Sequence, residues 1–158
     1  MPVTRAPVMA YVGLGANLGD AAAAVRAAID QLAQLSDSIL MARSGLWRSA
    51  PVDADGPDFI NAVVALRTRL TAPDLLAALQ RLEVGAGRQR PYPNAPRTLD
   101  LDLLRYGDGR IGSPSLSVPH PRMAGRAFVL RPLVEVAPSL VTPAMLDAVA
   151  DQRIERLS

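Results

Sequence analysis

At 158 residues and a net charge of +2, the chain is long enough to bury its own core as one domain and too weakly charged for general nucleic-acid binding. It has no cysteine and a single histidine, His120, which excludes disulfides, thiolate metal sites, thiol catalysis and multi-histidine centres. All 17 basic residues are arginine, so Schiff-base chemistry and a G-x-x-x-x-G-K-[ST] phosphate loop are excluded too.

In chain order, residues 1–7 read as a loose leader to a single domain spanning 1–158. Val8 to Leu14 is apolar and predicts a strand, with Gly13, Gly15 and Asn17 following it closely in a tight turn that brings Asn17 near a ligand. Asp20 caps a predicted helix over Ala22 to Leu35. Ile39 to Arg48 reads as a second strand, Ser49 to Pro57 as a loop and Phe59 to Leu70 as a third strand. Thr71 then caps a helix with Pro73 in its first turn and Leu75, Leu76, Leu79 and Leu82 along one side. Gly85 and Gly87 end it.

The most informative stretch follows, Arg97-Thr98-Leu99-Asp100-Leu101-Asp102-Leu103-Leu104. Its alternation predicts a half-buried strand with Leu99, Leu101 and Leu103 in the core and Asp100 and Asp102 together on the other side. At about 3.3 Å per residue, their Cα atoms stand roughly 6.6 Å apart. Like charges this close repel. Pairing with Arg97 or Arg105 on a solvated face would relieve them, and so would divalent cations about 3.5–4 Å apart. Arg88 and Arg90 lie upstream in a segment with Pro91, Pro93, Asn94 and Pro96, and bidentate arginines beside a carboxylate strand suit a metal–polyphosphate complex.

Beyond Gly107 and Gly109 the chain is irregular through Pro119-His120-Pro121. A helix limited or kinked by Pro132 is predicted from about Arg122 to Val136, and another from Pro143. The order β-α-β-β-α-β plus a helical C-terminal extension predicts an α+β, ferredoxin-like antiparallel sheet with helices on one face. Asp100 and Asp102 then fall on the face those helices leave free. No apolar stretch approaches the roughly 18 residues of a membrane span, and no charged start precedes a long apolar core. A cytoplasmic monomer, apart from membranes and nucleic acid, is the expectation.

Other residues admit two readings each. Gly13 to Gly19 links strand to helix, but Leu18 breaks the G-x-G-x-x-G dinucleotide fingerprint. Gln80 and Glu83 share a helix side, as a solvent-facing pair or as one wall of a nucleotide site. Phe59 and Phe128, the only phenylalanines, either pack in the core or stack on a planar ligand whose edge Asn61 reads. His120 sits between two prolines on a predicted loop, and Arg126 lies two residues before Phe128.

Together these residues resemble the 6-hydroxymethyl-7,8-dihydropterin pyrophosphokinase family of folate biosynthesis, from about Ala10 to Pro138. The most specific element is Pro96-Arg97-Thr98-Leu99-Asp100-Leu101-Asp102. Gly13-Leu14-Gly15-Ala16-Asn17-Leu18, Asp58-Phe59-Ile60-Asn61-Ala62, Gln80-Arg81-Leu82-Glu83, Val118-Pro119-His120-Pro121 and Arg126-Ala127-Phe128-Val129-Leu130 extend it in order. So do Pro132-Leu133 and Glu135-Val136-Ala137-Pro138.

The resemblance implies transfer of pyrophosphate from ATP to the pterin hydroxymethyl group, with AMP leaving. It implies that Asp100 and Asp102 hold two Mg²⁺ ions, and that Gln80, Glu83, Arg90, His120 and Arg126 line the ATP site, with Ser117 a weaker member. Phe59 and Phe128 would sandwich the pterin, and Asn61 with the backbone near Ser49, Ala50 and Val52 would read its edges. Arg88 and Arg97 would neutralise charge during transfer. A transient contact with dihydropteroate synthase is implied as well. Two positions depart from the pattern. Asn94 stands where the family often has tryptophan, with Tyr92 a stacking substitute, and Pro121 follows the histidine where some relatives carry tyrosine. The proline content of Ser49 to Pro57 and Gly87 to Pro96 implies stiff lids. The competing reading is a ferredoxin-like small-molecule or RNA-binding module without catalysis.

Overall fold

Two helices packed on one face of an antiparallel sheet account for most of the core. The computed structural model describes residues 6–51, 56–86 and 99–157. In chain order its elements are β1 (Val8–Ala16), α1 (Ala21–Ala33), β2 (Ser38–Arg43), β3 (Trp47–Ser49), β4 (Phe59–Thr68) and α2 (Ala72–Gly85). Then come β5 (Asp100–Tyr106), β6 (Ile111–Gly112), β7 (Ser117–Val118), α3 (Ala127–Val136), α4 (Pro143–Ala148) and β8 (Ile154–Arg156). The main sheet runs β5-β1-β4-β3-β8, with β2 also pairing β4. Every ladder is antiparallel. Short crossovers, βαββαβ order and antiparallel pairing make this the ferredoxin-like architecture expected from the sequence.

Both helices start as their caps predict. The Asp20 carboxylate accepts from Ala23 N at 3.0 Å, and the Thr71 hydroxyl accepts from Asp74 N at 3.1 Å with Pro73 in the first turn. Val25, Ile29 and Leu32 of α1 and Leu75 and Leu79 of α2 pack on Val12 and Leu14 of β1 and on Leu101 and Leu103 of β5. Leu99, Leu101 and Leu103 are buried, so the alternation placed them correctly.

Four local readings change. Gly13 and Gly15 form no turn; β1 runs through them to Ala16, and the turn is left to Asn17–Gly19, where Gly19 has φ 59°. The predicted strand from Ile39 to Arg48 breaks into β2 and β3. Between them Ser44 both donates its N–H to Val63 O at 2.9 Å and takes the Val63 N–H on its hydroxyl at 2.9 Å. A 3-10 turn at Met123–Gly125 precedes α3, which begins only at Ala127 and runs past Pro132 without ending there. The C-terminal helix is only six residues long, and the chain then returns to the sheet as β8.

The second face of the sheet is not left to solvent along its whole length. Val129 and Leu133 of α3 pack on Val63 of β4 and Leu104 of β5. Leu103 and Leu104 are consecutive on β5 and so point to opposite faces, and both are buried because both faces are covered there. The register with β1 shifts between Tyr11 and Val12, leaving Leu104 as the extra residue of β5. No helix among the described residues is long and apolar enough to cross a membrane.

Candidate active site

Glycine on β1, an inner strand of the sheet, forms the floor of the site. Register places Gly15 between Asp100 of β5 and Asn61 of β4, and Gly13 between Asp102 and Val63. A Cβ on Gly15 would lie 3.4 Å from Asn61 Oδ1 and 3.7 Å from Phe59 Cδ1. The amide oxygen and the ring edge therefore converge over Gly15, with the carboxylate of Asp100 on the neighbouring strand. Asp100 and Asp102 are both half-buried on this face. They are hard oxygen donors of the kind that Mg²⁺ takes in ones and twos beside substrate phosphates. No group of three or more His, Cys, Asp or Glu side chains that could hold a metal ion occurs among the described residues.

One wall is built around Asn61. This side chain is only 2% exposed, and its Nδ2 donates to Ser49 Oγ at 2.8 Å and to Phe59 O at 3.4 Å. With its donors so committed, the amide is fixed in orientation and its Oδ1 stays over the floor. Ser49 is buried and pairs in register with Phe59, while Ala50 and Phe59 are half-buried. Facing them, Phe128 on the first turn of α3 lies partly exposed beneath Arg126, whose guanidinium carbon stands 5.3 Å from the ring centroid. That contact is a cation–π pair. A cavity of about 100 Å³ opens here, lined by Ser49, Ala50, Ala127 and Phe128 together with Gln152 and Arg153.

His120 is tied to β5 by its backbone, its N–H donating to Leu104 O at 2.8 Å. Burial lowers its pKa from the usual 6.5, the charges of Arg126 and Arg122 lower it further, and Asp100 opposes them. The ring is thus neutral at neutral pH. Its Nδ1 accepts the Arg122 N–H at 3.2 Å, which assigns the proton to Nε2 and leaves that N–H as a donor. His120, Arg126 and Asp100 consequently share one electrostatic neighbourhood.

Glu83 and Gln80 separate. Gln80 is exposed on α2, whereas Glu83 is 3% exposed and its Oε2 accepts the Leu101 N–H at 2.9 Å. Glu83 thereby anchors the outer edge of β5 between the two aspartates. Ser117 is exposed on β7, paired with Gly112. Asn17, expected near a ligand, is buried and donates to Pro57 O at 3.2 Å, holding the end of β1 to the approach of β4. Val52, Arg88, Arg90, Tyr92, Asn94 and Arg97 lie outside the described residues. Gln152 and Arg153 at the cavity went unselected in the sequence, and Glu135 behind it entered only within a motif of the resemblance, with no role of its own. The first two are a polar pair in a stretch without periodicity, and nothing local marks them.

Comparison with known proteins gives a consistent result. The family model described as 7,8-dihydro-6-hydroxymethylpterin-pyrophosphokinase (HPPK) matches residues 11–138. The chain is 44% identical over 154 residues to the 2-amino-4-hydroxy-6-hydroxymethyldihydropteridine pyrophosphokinase of Pseudomonas aeruginosa, covering 93% of this chain and 95% of that one. It is 39% identical over 134 residues to the folic acid synthesis protein of Pneumocystis carinii, of which it covers 18%. Among solved structures, the Plasmodium falciparum HPPK-DHPS crystallised with pteroate has a TM-score of 0.72 at 11% identity. That likeness concerns the fold, over 94% of this chain and 45% of the other.

Proposed function

Since this chain belongs to the 7,8-dihydro-6-hydroxymethylpterin-pyrophosphokinase family, and so is an ATP-using pyrophosphokinase of folate synthesis, we propose that Asp100 and Asp102 hold two Mg²⁺ ions against the ATP phosphates. The observation that carries this reading is their placement on one face of β5, across Gly15 from Asn61 and Phe59. Bound Mg²⁺ supplies charge neutralisation on the phosphoryl oxygens and alignment of the reacting groups.

The chain's own residues do the rest by positioning and electrostatics. Phe59 and Phe128 sandwich the pterin, and Asn61, with the backbone at Ser49, Ala50 and Val52, reads its edge. Gln80, Glu83, Arg90, Ser117, His120 and Arg126 form the ATP side, with Glu83 contributing through its hold on β5. Neutral His120 offers Nε2–H to a phosphate or ribose oxygen without adding charge. Arg88 and Arg97 balance charge as the pterin alcohol oxygen bonds to the β-phosphorus and the bond to AMP breaks. No strong general base is required. The partner reading is a transient contact with dihydropteroate synthase by an otherwise monomeric protein, supported by the joined HPPK-DHPS of Plasmodium falciparum.

Asp100→Asn and Asp102→Asn test the carboxylate reading. Each is expected to cut pterin-dependent AMP release by about a thousandfold, since metal-assisted charge stabilisation is worth several kcal/mol at about 1.4 per factor of ten. Both variants should keep the pterin affinity and circular dichroism of the parent. Activity within tenfold of the parent in either variant would contradict the assignment.

A further inference from the structure

We propose that Gln152 is a positioning residue that fixes Arg126 and Phe128 together, so that one side chain remote in sequence sets both substrate subsites. The inference rests on the functional reading above. It begins from a missing cap. Arg126 occupies the N-cap of α3, yet its side chain makes no capping hydrogen bond, and the first N–H groups of any helix lack intrahelical acceptors. Gln152 supplies the acceptor from 25 residues downstream. Its Oε1 takes the Ala127 N–H at 2.9 Å, and its Nε2 donates to Gly125 O at 2.8 Å. One amide thus clamps the backbone on both sides of Arg126.

The clamp is itself anchored. Immediately after it, β8 pairs with β3 in the register Ser49↔Ile154, Arg48↔Glu155 and Trp47↔Arg156. Arg156 Nε donates to Glu135 Oε2 at 2.8 Å, and the other carboxylate oxygen accepts from Trp47 Nε1 at 2.9 Å. Through β8, Gln152 therefore links the strand that carries Ser49 to the helix that carries Phe128. These are the two sides of the cavity it closes. Arg153 extends the bridge toward Asp58, the residue before Phe59, at 3.9 Å. That pair is solvent-exposed and contributes little by itself.

The test is steady-state AMP release with Gln152→Ala, Gln152→Glu and, as a control in the adjoining strand β8, Glu155→Ala, with melting temperatures measured alongside. Gln152→Ala is expected to raise KM for both the pterin and ATP by about tenfold at a temperature where it remains folded, because the Ala127 N–H loses its acceptor. Gln152→Glu, which keeps that acceptor, should fall between parent and Gln152→Ala, and provides the measurement should the alanine variant not fold. Glu155→Ala, which loses only its ion pair with Arg48, should leave both KM values as they are. A lowered melting temperature with both KM values unchanged would make Gln152 a structural residue only and overturn the proposal. A rise confined to the pterin would overturn it too, leaving Gln152 as a pocket wall. A parent protein with no pterin-dependent AMP release would instead sink the activity reading, and the inference with it.

Discussion

Gly15 shows how much of the site depends on an absent side chain. Its neighbours on both strands bear the groups that matter, and the Phe59 ring and Asn61 Oδ1 come together above it with room for no more than a Cβ. Alanine fits at ordinary contact distance, but the γ-carbons of valine would extend into both groups. Gly15→Val is therefore expected to weaken pterin binding by about tenfold or more, the scale of overpacking costs of 1–3 kcal/mol. Gly15→Ala should stay close to the parent. A fluorescence titration with the pterin measures both, and equal affinity of parent and valine variant would show that Gly15 is not part of the floor. Gly107 makes a conformational demand instead. It has φ 54°, and a Cβ there would lie 2.8 Å from Val8 Cγ1. Gly107→Ala should cost about 1–2 kcal/mol in urea unfolding, and an unchanged midpoint would contradict that account.

At the level of elements, β5 is held in place by α2 through Glu83, whose carboxylate takes an N–H at the sheet's outer edge. Glu83→Ala is expected to destabilise the protein by about 1–3 kcal/mol by stranding that buried donor. Glu83→Gln, which keeps an acceptor oxygen, should lose less; equal losses in urea melts would mean the bond to Leu101 is not the relevant one. Behind the cavity, Glu135 joins α3 to β3 and β8. Burial pushes its pKa up, yet donors from Trp47, Arg156 and Gly45 outweigh that and hold it below the usual 4.5. A carboxylate whose folded pKa is depressed stabilises the fold fully above its unfolded value, and that contribution fades as pH falls through the folded value. The melting-temperature gap between parent and Glu135→Gln should therefore be constant above about pH 5 and narrow below pH 4.5. A gap independent of pH down to 3 would rule out linkage through Glu135.

Elements also differed in how legible they were. β5 and α2 could be read because a period of two and a Thr71–Pro73 cap are local signals, and both stand where they were expected. β1 was cut short because Gly13 and Gly15 carry turn propensity, which pairing on both sides overrides. β8 has three residues and owes its existence to β3 and to the Glu135–Arg156 pair, neither of which is near in sequence. Of the candidate site, Asp100, Asp102, Phe59, Asn61, Ser49, His120, Arg126 and Phe128 come together. The clamp from Gln152 was invisible because its partners are backbone atoms of another element.

Over the whole molecule, the sheet divides labour between its faces. One is sealed by α1 and α2 and carries the larger apolar core. The other is shared, α3 covering Val63 and Leu104 while the aspartates and the glycine floor remain beside it. Such an arrangement gives a rigid support for positioned groups and leaves the reaction to charge placement, as phosphoryl-type transfer requires. The most direct test is to incubate the protein with ATP, Mg²⁺ and 6-hydroxymethyl-7,8-dihydropterin and follow AMP and the pterin diphosphate together. The account predicts equal amounts of the two, formed only when pterin and Mg²⁺ are both present. AMP formed without pterin, or ADP in its place, would contradict diphosphate transfer to the pterin by this chain.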